Sequence, residues 1–243
     1  MTPEPATSRG RRLELAGTLV GVVCVLAALA IIWVARLSVH YDLYVSELGA
    51  PGMPTARWFE AALLLIVAGA SLIAFAGRDL RSRIRFLALW TPAVSLWIGS
   101  GGFLVASQVT CTPGCPVPYG PTFTWQDFTH TTLAVIAFAA ACWAMLQVAF
   151  ARGHRGLAMM SLAAAVVVAV VAGAGGILSL AHFQADFGSR LELLATTVAL
   201  VWLATLGGVL AARLARVRPP HLELPHPDVS LHDVSLHEMK DGA

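Results

Sequence analysis

The chain predicts an all-α fold, a polytopic bundle of six transmembrane helices with both termini cytoplasmic. Three observations carry this. Hydrophobic residues make up 57% of the 243 positions. They gather in six runs of roughly the 20 residues that a bilayer-crossing helix needs. Basic residues fall almost wholly on alternate connections between those runs.

The first run, Leu15–Ala35, follows Arg9, Arg11 and Arg12 and contains the close-packing pair Gly17 and Gly21. No small-residue cleavage site follows it and five more runs do, which excludes a signal peptide. A connection from Arg36 to Arg57 leads to the second run, Trp58–Ala76. Arg78, Arg81, Arg83 and Arg85 precede the third, Phe86–Val109. A Pro- and Gly-rich loop, Gln108–Asp127, reads as a lid and leads to the fourth, Phe128–Phe150. Arg152 and Arg155 precede the fifth, Leu157–Leu180, which is rich in Ala, Val and Gly. Its Gly173, Gly175 and Gly176 leave open a broken helix lining a transport path, against a plain packed helix. The sixth run is Leu191–Ala212, followed by Arg213, Arg216, Arg218 and Lys240. The tail repeats Asp-Val-Ser-Leu-His in tandem at 228–232 and 233–237 and reads as disordered. Residues 1–12, 13–214 and 215–243 are thus an N-terminal cytoplasmic segment, a membrane domain and a cytoplasmic tail.

Thirteen of the 16 basic residues lie on the termini and the second and fourth connections; Arg36, Arg57 and Arg190 are the others. With the acids included, that side sums to +5 and the opposite side to −3. Positive charge stays cytoplasmic, which predicts a protein of the bacterial cytoplasmic membrane. The net charge of +2 then sets topology and meets anionic lipid; it is no nucleic-acid signal, and no protein partner is indicated. Trp33, Trp58 and Trp125 fall near the outer boundary, where indoles anchor helices.

Cys24 and Cys142 are mid-run and read as small buried hydrophobes. Cys111 and Cys115, in Cys-Thr-Pro-Gly-Cys-Pro on the outer side, read first as a disulfide and second as a metal pair.

Ionisable groups within apolar runs are costly and mark function. Here they gather at the outer ends. Glu60 lies one turn into the second run, Asp127 and His130 open the fourth on one face, His182 ends the fifth, and Glu192 begins the sixth. The first connection adds His40, Asp42, Tyr44, Ser46 and Glu47. Three readings compete. Ser46, Glu47, Glu60, Asp127, His130 and Glu192 form a pocket for a lipid headgroup or another small ligand. Asp127, His130 and His182 hold a metal, zinc by their chemistry, and hydrolyse a substrate. Or the groups are structural, with Asp127 capping the fourth helix and the protein serving assembly. Whether the chain is an enzyme stays open at this point.

Tyr44-Val-Ser-Glu-Leu-Gly-Ala50, with Pro51 and Pro54 after it, resembles the Ser-Glu-Leu-Gly signature of the DUF998 family. Cys111-Thr-Pro-Gly-Cys115-Pro followed by Asp127-Phe-Thr-His130 is similar to that family's central segment, and Arg190-Leu-Glu192 to its closing motif. The resemblance spans roughly Leu13 to Leu214. It implies six spans, a bacterial or archaeal membrane protein of uncharacterised function, and interest in Ser46, Glu47, Asp127, His130 and Glu192. A second likeness, to intramembrane zinc hydrolases of the ceramidase and adiponectin-receptor type, rests on His, Asp and Ser near one face. This chain departs from those in having six runs and no paired histidines in the last.

Overall fold

The computed structural model describes residues 8–40, 43–116, 120–153, 155–180 and 185–216. They form six α-helices: α1 (Ser8–Leu37), α2 (Ala56–Ala76), α3 (Pro92–Gln108), α4 (Trp125–Ala149), α5 (Arg155–Leu180) and α6 (Ala185–Arg216). One 3₁₀ turn, Ser46–Gly49, interrupts the connection between α1 and α2. The described residues include no strand, only an isolated bridge between Ser82 and Ala151. Five helices, all but α3, are long and apolar enough to cross a membrane. The chain is therefore a multi-pass membrane protein. The tail repeat, its histidines and His182 lie outside the described residues.

The third helix corrects the sequence expectation. It begins at Pro92, not Phe86, and has 17 residues. Proline disfavours helical backbone in the residue before it, and Thr91 is extended (φ −79°, ψ 158°). Pro92 then takes the first helical position, where its missing N–H costs nothing. Residues 86–91 are turns, so their carbonyls need partners in an apolar setting. Gln147 of α4, fully buried, supplies them. Its amide nitrogen donates to the carbonyls of Leu87 (3.0 Å) and Trp90 (2.7 Å). Its amide oxygen accepts from the Ser95 hydroxyl (2.7 Å), and that hydroxyl accepts from the Trp90 indole (2.8 Å).

Each helix packs on the next in sequence, and α6 packs back on α1, so the six close into a ring. Gly21 and Gly69 make the α1–α2 crossing. A Cβ on Gly69 would come within 2.7 Å of the Gly21 carbonyl oxygen, and one on Gly21 within 3.0 Å of Gly69's. Gly17, the other half of the Gly-x-x-x-Gly pair, has only a side chain near it. α5 runs unbroken through Gly173–Gly176, which removes the broken-helix transport site.

One end of the ring carries the arginine-rich connections. Arg78 pairs there with Glu14, the Arg83 N–H donates to the Phe150 carbonyl (2.8 Å), and the Arg213 side chain lies against Gly153. The opposite end carries the 3₁₀ turn, the cysteine loop and the start of α6.

Candidate functional site

The start of α4 is built first. Thr124 is its N-cap, with extended backbone, and its hydroxyl accepts from the Asp127 N–H (3.0 Å). The cap is thus Thr124, three residues ahead of Asp127, and its hydroxyl also donates to the Asp127 carboxylate. The Asp127 carboxylate accepts from the Thr124 hydroxyl, from the Thr112 N–H (2.8 Å) and from the Thr112 hydroxyl (2.9 Å). At 1% exposure it is buried under the bonds it makes. Nearby, the Gln126 amide donates to the Thr110 carbonyl (2.6 Å), and His130 Nδ1 lies 2.7 Å from the Val109 carbonyl oxygen. Three side chains of one helix start therefore hold residues 109–112 in place.

That clamp presents the cysteine loop. Cys111 and Cys115 form a disulfide, closed by a turn in which the Cys115 N–H donates to the Thr112 carbonyl (2.9 Å). Gly114 (φ 83°) and Cys115 (φ 40°) both take left-handed backbone, which glycine accepts freely and cysteine does not. The sulfurs rest on the 3₁₀ turn. Cys111 Sγ is 3.6 Å from the Ser46 carbonyl oxygen, and Cys115 Sγ is 3.7 Å from the Ser46 hydroxyl.

The third contribution comes from α6. Glu192 accepts from the Val45 N–H (2.7 Å) and also bonds the backbone and hydroxyl of Ser46. It thereby satisfies donors at the start of the 3₁₀ turn, as a carboxylate does at a helix N-terminus. Glu47 bends back to accept from the Tyr44 N–H (2.9 Å). Burial of the Glu47 carboxyl raises its pKa, and the Tyr44 N–H opposes that rise.

Ser46, His130 and Glu192 meet at a cavity of about 70 Å³ inside the ring. Thr196 of α6 adds a hydroxyl to its wall, and the remaining lining side chains are apolar, with Phe59, Phe103 and Phe138 among the larger. A second cavity of about 50 Å³, also inside the ring, shares Ile66, Phe103, Ala141, Ala199 and Leu200 with it. No Lys or Arg is among the residues lining either.

The expected site residues thus separate. Ser46, His130 and Glu192 converge on the cavity. Glu47 stands beside them in the turn. Asp127 serves the loop clamp. Glu60 is exposed on α2, one position past buried Phe59. Asp42 and His182 lie outside the described residues. The sequence reading missed the approach of Ser46 to both sulfurs, a contact 65 and 69 residues apart in the chain. It also missed Gln147, although a lone amide inside an apolar run was a signal.

Among known proteins, one family model matches residues 15–209, described as a protein of unknown function, DUF998. The chain belongs to the DUF998 family. No curated protein and no solved structure matches it. The matched segment of this DUF998 protein contains the 3₁₀ turn, the disulfide, His130 and Glu192, so the whole candidate site belongs to the part shared with the family.

Proposed function

We propose that this DUF998 protein is a membrane-embedded binding protein. Its site is the polar cap formed by Ser46, His130 and Glu192 over the cavity inside the helix ring. One observation carries the reading: Ser46, His130 and Glu192, from the first connection, α4 and α6, meet at one cavity whose other lining side chains are apolar except for Thr196. Such a pocket, apolar with a few convergent polar groups, is the usual form of a ligand site.

Size and charge narrow the ligand. An engineered cavity of about 150 Å³ holds benzene, so about 70 Å³ takes a smaller group. Glu192 supplies carboxyl oxygens, Glu47 stands next to it, and no Lys or Arg lines the space. A phosphate would find no cation there. An amine or hydroxyl, as the end of a lipid headgroup or of a free small molecule, would find acceptors. We place the protein in the bacterial cytoplasmic membrane, with α3 as a sixth, short span, both termini cytoplasmic and the cap facing outward. Residues 13–214 form the binding domain in this reading. A hydrolase built on Asp127, His130 and His182 gains no support from an Asp127 whose two oxygens are already engaged by Thr112 and Thr124.

Native mass spectrometry of protein released from native membranes tests the proposal. Wild type should carry a bound small molecule or lipid, and Glu192→Gln, folded by its melting curve, should carry less. Identical spectra for the two, or no adduct on wild type, would refute it. The masses found distinguish a lipid from a free ligand.

A further inference from the structure

The cap contains a second constellation. Cys111, Cys115 and His130 each offer one donor atom, and the three atoms lie within 4.8 Å of one another. Two of the three are sulfurs joined in the disulfide. We propose that this disulfide opens reversibly, and that its reduced form is a zinc site with Cys111, Cys115 and His130 as ligands and the fourth position open toward the cavity.

Four observations support it. The donor set is that of zinc: two thiolates and an imidazole with one position left open are a known catalytic arrangement, and soft sulfur selects zinc over hard cations. His130 is prepared for the task. Donation from its Nδ1 to the Val109 carbonyl leaves the lone pair on Nε2, and a second hydrogen bond of this kind is the usual support of a metal-binding histidine. The loop does not depend on the disulfide for its place, because Asp127 holds Thr112 and Gln126 holds Thr110. Finally, Cys115 is partly exposed while Cys111 is buried, so a reductant and an ion have a way in from the loop side. Ser46 touches both sulfurs and lines the cavity with His130, which places the open position beside the cap.

The chemistry balances with a dithiol as reductant. One of its thiolates attacks Cys115 Sγ, and Cys111 leaves as a thiolate that takes up a proton. The second thiol of the reductant attacks the mixed disulfide, Cys115 leaves as a thiolate and is protonated, and the reductant departs as its own disulfide. Two electrons pass to the loop. Binding of Zn²⁺ then displaces one proton from each cysteine. The inference does not depend on what the cavity holds.

The test uses the full-length protein in detergent, oxidised and reduced, with free thiols counted and cobalt(II) as the spectroscopic probe. Reduced wild type should take up one equivalent of cobalt with thiolate charge-transfer absorption and a tetrahedral visible spectrum, and zinc should displace it. The oxidised protein should show neither band. His130→Ala should weaken cobalt binding by about tenfold or more, and Cys111→Ser should abolish the charge-transfer band. Absence of the band from reduced wild type would overturn the proposal. So would an unchanged affinity in His130→Ala, which would mean chelation by a dithiol alone. If Cys111→Ser does not fold, the oxidised and reduced wild type still decide the matter.

Discussion

Single polar side chains do most of the specifying in this apolar chain. Gln147 replaces a missing helical turn: two of its three hydrogen bonds serve residues 86–91, which α3 leaves outside itself, and the third ties it to Ser95 in α3. Gln147→Leu strands two buried carbonyls and a hydroxyl at about 1 to 3 kcal/mol each, so a loss of about 3 kcal/mol is expected from thermal unfolding in detergent. Gln147→Glu should also lose stability, since a carboxylate cannot donate to the two carbonyls. Glu47 predicts a pH dependence. Burial holds its carboxyl above the usual range, so the native state keeps a proton that the unfolded chain has released. Its contribution is full below the ordinary glutamate pKa of about 4.3 and is lost as pH rises through the raised value. The melting temperature of wild type should therefore fall relative to Glu47→Gln as pH is raised from about 4 to 7. Parallel melting curves for the two would exclude that role.

At the scale of elements, the α1–α2 contact is set by backbone approach at Gly21 and Gly69, each of which leaves no room for a side chain. Without a strong hydrophobic drive between helices in lipid, such closeness is what joins them. Gly69→Val should cost about 3 kcal/mol by overpacking, while Gly17→Ala, with only the end of Leu72 near it, should be nearly silent in the same unfolding assay. Apolar length placed α2, α4 and α5 closely, while α1 and α6 begin at Ser8 and Ala185, well ahead of the apolar runs that start at Leu15 and Leu191. It failed for α3, because Phe86–Trp90 is as apolar as a helix and hydropathy is blind to backbone. The warning was Pro92, whose effect on Thr91 is local and readable. Glu60 failed for a different reason. Depth in a span follows from sequence position, but direction around the helix needs the neighbours, and one residue's step of about 100° separates Glu60 from buried Phe59.

Across the whole molecule, sequence reasoning located polar groups at one end but could not show that Ser46, His130 and Glu192 share a cavity. That meeting depends on the ring, whose closing contact joins the first helix to the last. Orientation is a prediction at this scale. With α3 crossing as a sixth span, single cysteines at Ser8 and Arg216, on a background keeping Cys111 and Cys115, should both be protected from an impermeant thiol reagent in intact cells, and one at Trp125 should react. Labelling of Ser8 or Arg216 alone would reduce the crossings to five. The ring also bears on assembly. Apart from the contacts of α6 with α1 and α2, its main helix contacts are between sequence neighbours, so helix hairpins can pair as they emerge from synthesis. Glu192 arrives with the final helix. The cap is therefore the last part of the protein to be completed, and a chain stopped after α5 would hold most of its contacts yet lack the carboxylate that anchors the 3₁₀ turn.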